Sequence, residues 1–97
     1  LSFILKITPF IMIKDEIRIF LARSKLRLEV LKKLGEKPQI ASFLAHDLNK
    51  HREVISRIFL DLQEAGLATC SNPEAPSFRY YSITRAGRKI LKEMNSP

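Results

Sequence analysis

Residues 45–66, AHDLNKHREVISRIFLDLQEAG, decide the fold. They read as the end of one helix, a sharp turn, a longer amphipathic helix and a glycine stop. Ile55, Ile58, Phe59 and Leu62 recur at i, i+3, i+4 and i+7, which makes one apolar stripe along a helix. Lys50, Arg52, Glu53, Ser56 and Arg57 fall on its other faces. Asn49 stands where the chain must reverse, and asparagine tolerates left-handed backbone angles better than most residues. A helix that shows water a lysine, two arginines and a serine near its N-terminus suits the acceptor-rich edge of a DNA major groove.

Upstream, the pattern predicts a first helix from Asp15 to Leu34 with Gly35 as its C-cap. Ser24 interrupts it and is a candidate cap for a second segment. Leu26 or Arg27, then Val30, Leu31 and Leu34 make its core face. Residues 35–38, GEKP, read as a loop, and Pro38 suits the start of a helix. Residues 39–47 read as a short second helix burying Ile40, Phe43 and Leu44, with Leu48 as a plug behind it. The third helix, about 51–65, stops at Gly66, and the pair forms a helix-turn-helix unit.

Downstream the period changes. Residues 67–70, LATC, and 78–83, FRYYSI, read as two strands joined by the loop 71–77. Tyr80 and Tyr81 alternate across the second strand, so one is expected inside and the other outside. Thr84 is the expected cap of a closing helix that runs from Arg85 to about Asn95 and buries Ala86, Ile90, Leu91 and Met94.

Ninety-seven residues make one domain, large enough to bury roughly 60–65% of its unfolded surface. Seventeen Lys and Arg against ten Asp and Glu give a net charge of +7, and the pI is near 9.9. Such a chain attracts polyanions: DNA, RNA or an acidic membrane surface. The single cysteine, Cys70, allows no internal disulfide and no cysteine cluster, and points to a reducing, cytoplasmic setting. His46 and His51 have no third ligand nearby, so no metal site is expected. Cys70 reads as a small buried residue of the hairpin. With no phosphate-binding glycine loop and no carboxylate pair placed by a cleft, no catalytic residue, cofactor or enzyme activity is expected.

The apolar start, LSFILKITPFIMI, is interrupted by Lys6 and Pro9 and is too short to cross a membrane. It also lacks the basic start and small-residue cleavage site of a signal peptide. Residues 1–14 are expected to be a packed arm, either an extra strand or a contact between two copies. Phe3, Ile4, Phe10 and Ile11 would join Ile17, Phe20 and Leu21 on that surface.

Four separated segments carry a resemblance. They are Arg23-Ser24-Lys25 with Arg27 and Val30-Leu31-Lys32-Lys33-Leu34; Ser56-Arg57 with Leu62-Gln63-Glu64-Ala65-Gly66-Leu67; Cys70-Ser71-Asn72-Pro73-Glu74-Ala75; and Tyr81-Ser82-Ile83-Thr84-Arg85-Ala86-Gly87. In order and spacing they resemble a group of archaeal winged-helix transcriptional regulators related to the ArsR and MarR repressors, over about residues 15–94. Asn49 stands where that group usually has glycine. The cysteine pair of the ArsR metal sensors is missing, so metal sensing is not implied.

The resemblance implies a mainly α fold with a small β-hairpin (α+β). It would be a winged helix-turn-helix over 15–97, ordered helix-helix-helix-strand-strand-helix, behind the apolar extension. It implies a homodimer that binds double-stranded DNA in a sequence-specific way and regulates transcription. The helix at about 51–65 would enter the major groove, and the wing at about 67–83 would lie on the backbone or minor groove. Lys50, His51, Arg52, Ser56, Arg57 and Arg79 become the candidate contacts. Arg52 is the first candidate for base reading, and Lys50 and Ser56 suit phosphates. Arg57 either reaches a phosphate or pairs with Glu53 one turn earlier. The runner-up is a winged-helix module for protein association, or a nonspecific chromatin-associated protein. The charge favours DNA, and the apolar arm favours a protein partner.

Overall fold

The computed structural model of the protein describes residues 14–95. The expected arm at 1–14, apart from Lys14, lies outside the described residues, as do Phe3, Ile4, Phe10 and Ile11. The elements run α1 (Lys14–Ala22), α2 (Lys25–Glu36), β1 (Gln39–Ile40), α3 (Ala41–Leu48), α4 (Arg52–Glu64), β2 (Ala68–Cys70), β3 (Tyr80–Ile83) and α5 (Arg85–Asn95). The architecture is mainly helical, with one antiparallel sheet of three strands in the order β1-β3-β2.

The first helix divides in two at Ser24, the interruption read in the sequence. Ser24 takes an extended backbone, and its Oγ accepts from the Arg27 N–H at 3.1 Å, a side-chain cap that starts α2. Gly35 does not end α2, which continues to Glu36. The stop comes from Pro38, whose ring disfavours helical angles at the residue before it. Lys37 is extended at φ −169° and ψ 163°. Gly35 instead lets α5 approach, because a Cβ there would sit 3.0 Å from Leu91 Cδ2.

Residues 39–40 are strand, not the first turn of a helix. Gln39 pairs with Tyr81 and Ile40 with Tyr80, and the buried Gln39 side chain donates to the Lys33 carbonyl at 3.1 Å. With α3 starting at Ala41, its inward face becomes Leu44, Ala45 and the half-buried Leu48. Phe43, expected in the core, therefore points outward and is 60% exposed.

Asn49 is left-handed, at φ 57° and ψ 49°, and the Lys50 N–H closes back on the Ala45 carbonyl at 2.8 Å. Gly66, at φ 79°, repeats the device after α4, with the Leu67 N–H donating to the Leu62 carbonyl at 2.8 Å. Between these two stops Ile55, Ile58, Phe59 and Leu62 are buried, as their periodicity requires. Phe59 meets Tyr81 with ring centroids 4.7 Å apart, while the neighbouring Tyr80 is exposed.

α5 closes the core. Thr84 Oγ1 accepts from the Gly87 N–H at 3.0 Å and donates to the Gly66 carbonyl at 2.7 Å, so one hydroxyl caps α5 and ties it to the end of α4. Ile90 is buried, and Leu91 and Met94 lean on the core. Ala86, expected inside, is exposed; Gly87 holds the inward position, because a Cβ there would meet the Leu67 carbonyl oxygen at 2.3 Å.

Leu21 is fully buried in the protein's own core and offers nothing to a second copy. Ile17 and Phe20 are half-buried against that core, and on α1 it is Ile19 that stands out, 53% exposed. Each fully buried side chain such as Phe59, Leu31 or Leu44 contributes about 1.5–3 kcal/mol relative to exposure. The core thus runs from α1 through α4 to the sheet and holds α4 firmly by one face.

Candidate nucleic-acid interface

Because the buried stripe claims one side of α4, its other faces carry the polar chemistry. Lys50 and His51 lie exposed in the turn; Arg52 and Arg57 are exposed on the helix and Ser56 is half-buried. Arg52 and Ser56 share one flank of α4, four residues apart. Glu53 and Arg57, also four apart, share the face opposite the stripe. Among the described residues no ion pair joins Arg57 to Glu53, and none engages Arg52 or Lys50; ion pairs do form elsewhere, as Arg18–Glu93 at 3.4 Å and Arg27–Asp61 at 3.9 Å. Arg27 also caps the Phe20 ring, with its guanidinium carbon 4.0 Å from the centroid.

The loop between β2 and β3 is built around Asn72. Its Oδ1 accepts from the Tyr80 N–H at 2.7 Å, and its Nδ2 donates to the Phe78 carbonyl at 3.2 Å. Cys70 is half-buried, with its Sγ 3.7 Å from the same Oδ1. Phe78 is left-handed at φ 55°, a conformation that costs a residue with a side chain about 1 kcal/mol or more. Its ring lies 6.2 Å from that of Phe43, so the hairpin loop touches α3 through two exposed aromatics. Arg79 Nε donates to the Ala75 carbonyl at 2.8 Å, which fixes an otherwise mobile side chain.

Between α4 and this loop lies an open cleft of about 620 Å³. Arg52, Ser56 and Leu60 line it from α4, Ala41 and Ser42 from the start of α3, and residues 76–79 from the loop. Of the residues singled out in the sequence, the cleft gathers Arg52, Ser56 and Arg79. Lys50, His51 and Arg57 stand outside it. Ser42, Leu60, Ser77 and Phe78 belong to it and carry no signal in the sequence, since each looks like an ordinary surface or core residue until the chain has folded. No carboxylate lines the cleft. Tyr81 closes it at the back, where burial pushes the phenol above its ordinary value; Cys70 adds to the rise and the Arg79 guanidinium opposes it.

A second cleft, of about 640 Å³, lies on the other side of Leu60 and is lined by Gln63, Glu64, Gly66, Ala68, Thr69 and Thr84. The basic residues of α5, Arg85, Arg88, Lys89 and Lys92, are all exposed, and Arg88 reaches back to the Gly35 carbonyl at 3.3 Å. His46 is exposed as well. Among the described residues no three His, Cys, Asp or Glu side chains are grouped to hold a metal ion, and no helix is long and apolar enough to cross a membrane. The chain matches no protein-family model and has no significant similarity to a curated protein.

Proposed function

We propose that this protein is a winged helix-turn-helix regulator of transcription that binds double-stranded DNA as a homodimer. In this reading α3 and α4 are the helix-turn-helix, α4 enters the major groove, and the β2–β3 hairpin is the wing. The observation that carries the reading is the cleft itself. Arg52 and Arg79, from elements far apart in sequence, face one carboxylate-free space in a chain of net charge +7. Lys50, His51, Ser56 and Arg57 extend the contact surface along α4. Two copies joined through α1, where Ile19 is exposed, would set two such helices in successive major grooves ~34–36 Å apart.

Fluorescence anisotropy with duplexes selected from a random pool, at two salt concentrations, tests the reading. Selective binding that weakens steeply with salt supports it. Weak binding, equal for every duplex, returns the protein to the class of nonspecific chromatin components. A protein-association module is the second reading, favoured by one observation. Phe43, Leu60 and Phe78, at 60%, 50% and 61% exposure, put apolar surface on the same side of the molecule as the arginines. Binding to no duplex at any salt would move the balance to it.

A further inference from the structure

We infer that the cleft between α4 and the hairpin loop seats one sugar–phosphate strand of the DNA, so that Arg52 clamps a phosphate and Arg57 reads a base. The inference rests on the DNA-binding reading above and divides the labour within it. A helix docked in a groove turns toward the bases the face opposite its own core. On α4 that face holds Glu53 and Arg57, since Ile55, Ile58, Phe59 and Leu62 define the buried side. Arg52 sits off to the flank, inside the cleft, facing the wall that carries Arg79. A strand leaving the edge of the groove runs through the space between helix and hairpin.

The chemistry of the cleft fits that occupant. Two guanidinium groups line one space without a carboxylate, so the charge presented there is positive and favours an anion. Arg79 is already tethered through Nε to Ala75 and keeps further N–H donors for a phosphate oxygen. Hydroxyls of Ser42, Ser56 and Ser77 line the same walls, and none is engaged in a hydrogen bond among the described residues. Leu60 and Phe78 offer apolar surface between these polar groups, which suits the alternation of deoxyribose and phosphate along a strand. A base edge presents no such alternation.

The test compares wild type with Arg52→Ala, Arg57→Ala and Ser77→Asp. Each is measured on the duplex that wild type selects and on every single-base-pair variant of it, at two salt concentrations. All three side chains are exposed, so the variants keep the fold. Arg52→Ala is expected to weaken every duplex by about tenfold and to lower the salt slope by about 1. Ser77→Asp, which puts a carboxylate in the cleft, should also weaken all duplexes alike. Arg57→Ala should flatten the preference at one base pair by roughly 10–100-fold. Loss of preference in Arg52→Ala, or a uniform loss in Arg57→Ala, overturns the assignment. Selective wild-type binding untouched by Arg52→Ala and Ser77→Asp overturns the cleft alone. A wild type that binds no duplex overturns the DNA-binding reading beneath it.

Discussion

Leu60 divides two clefts of nearly equal size, about 620 and 640 Å³, that differ in everything else. The first is faced by two arginines and three serines and by a loop that projects from the sheet. The second has Glu64 and no cation, and its floor is the tight junction of Gly66, Ala68 and Thr84. Volume therefore does not distinguish them. Charge and construction do: the first presents two cations and three hydroxyls, and the second shares Gly66, Ala68 and Thr84 with the junction of α4, β2 and α5.

The largest effect comes from emptying the core that carries both clefts. Phe59 lies fully buried under the sheet against Tyr81, and Phe59→Ala is expected to cost about 3–5 kcal/mol, measured by urea unfolding. A domain of this size has little more than that to lose, so DNA binding should vanish with the fold. Gly87→Ala acts where α5 seats on Leu67 and Ile83, residues that line neither cleft. Alanine would favour the helix by about 1 kcal/mol, but its Cβ would meet the Leu67 carbonyl at 2.3 Å, and backbone cannot yield cheaply. A net loss of about 2 kcal/mol is expected, read as a lower Tm, with duplex preference unchanged below the melt.

Matched charge changes in the two clefts should have unequal effects. Arg79→Ala, in the first cleft, should weaken duplex binding about tenfold at low salt. Glu64→Gln, in the second, should change it by no more than about twofold, as a screened long-range charge does. Equal effects would dissolve the distinction between the clefts. The smallest effect concerns Tyr81. Its phenol sits above the ordinary value of 10.0 because it is buried, so the folded state keeps the proton longer than the unfolded chain. Stability from this group is full below 10.0 and is lost as pH rises through the folded value. Thermal melts between about pH 9 and 11 should show that decline, and Tyr81→Phe should remove it.

The local parts of this picture are legible in the sequence. The stripe on α4 has its period, Asn49 and Gly66 mark their turns, Ser24 and Thr84 mark their caps, and the alternation at Tyr80 and Tyr81 sorts one ring inward. Each is decided within a few residues by backbone sterics or side-chain spacing. Pro38 overrides Gly35 as the stop of α2 locally, but at Gln39, Ile40, Phe43 and Ala86 the outcome depends on a distant partner. Gln39 and Ile40 look like the first turn of a helix, yet they pair with a strand some forty residues later. That pairing moves the start of α3 and turns Phe43 out of the core. Gly87 outranks Ala86 at the inward position only because the Leu67 carbonyl lies there.

The candidate site follows the same rule. The basic residues on α4 and the net charge are written in the sequence, because composition and helical period need no fold to be read. Which arginine faces the hairpin and which faces outward was decided by tertiary structure. The cleft joins residues from α3, α4 and the loop before β3, and long-range packing alone brings them to one place.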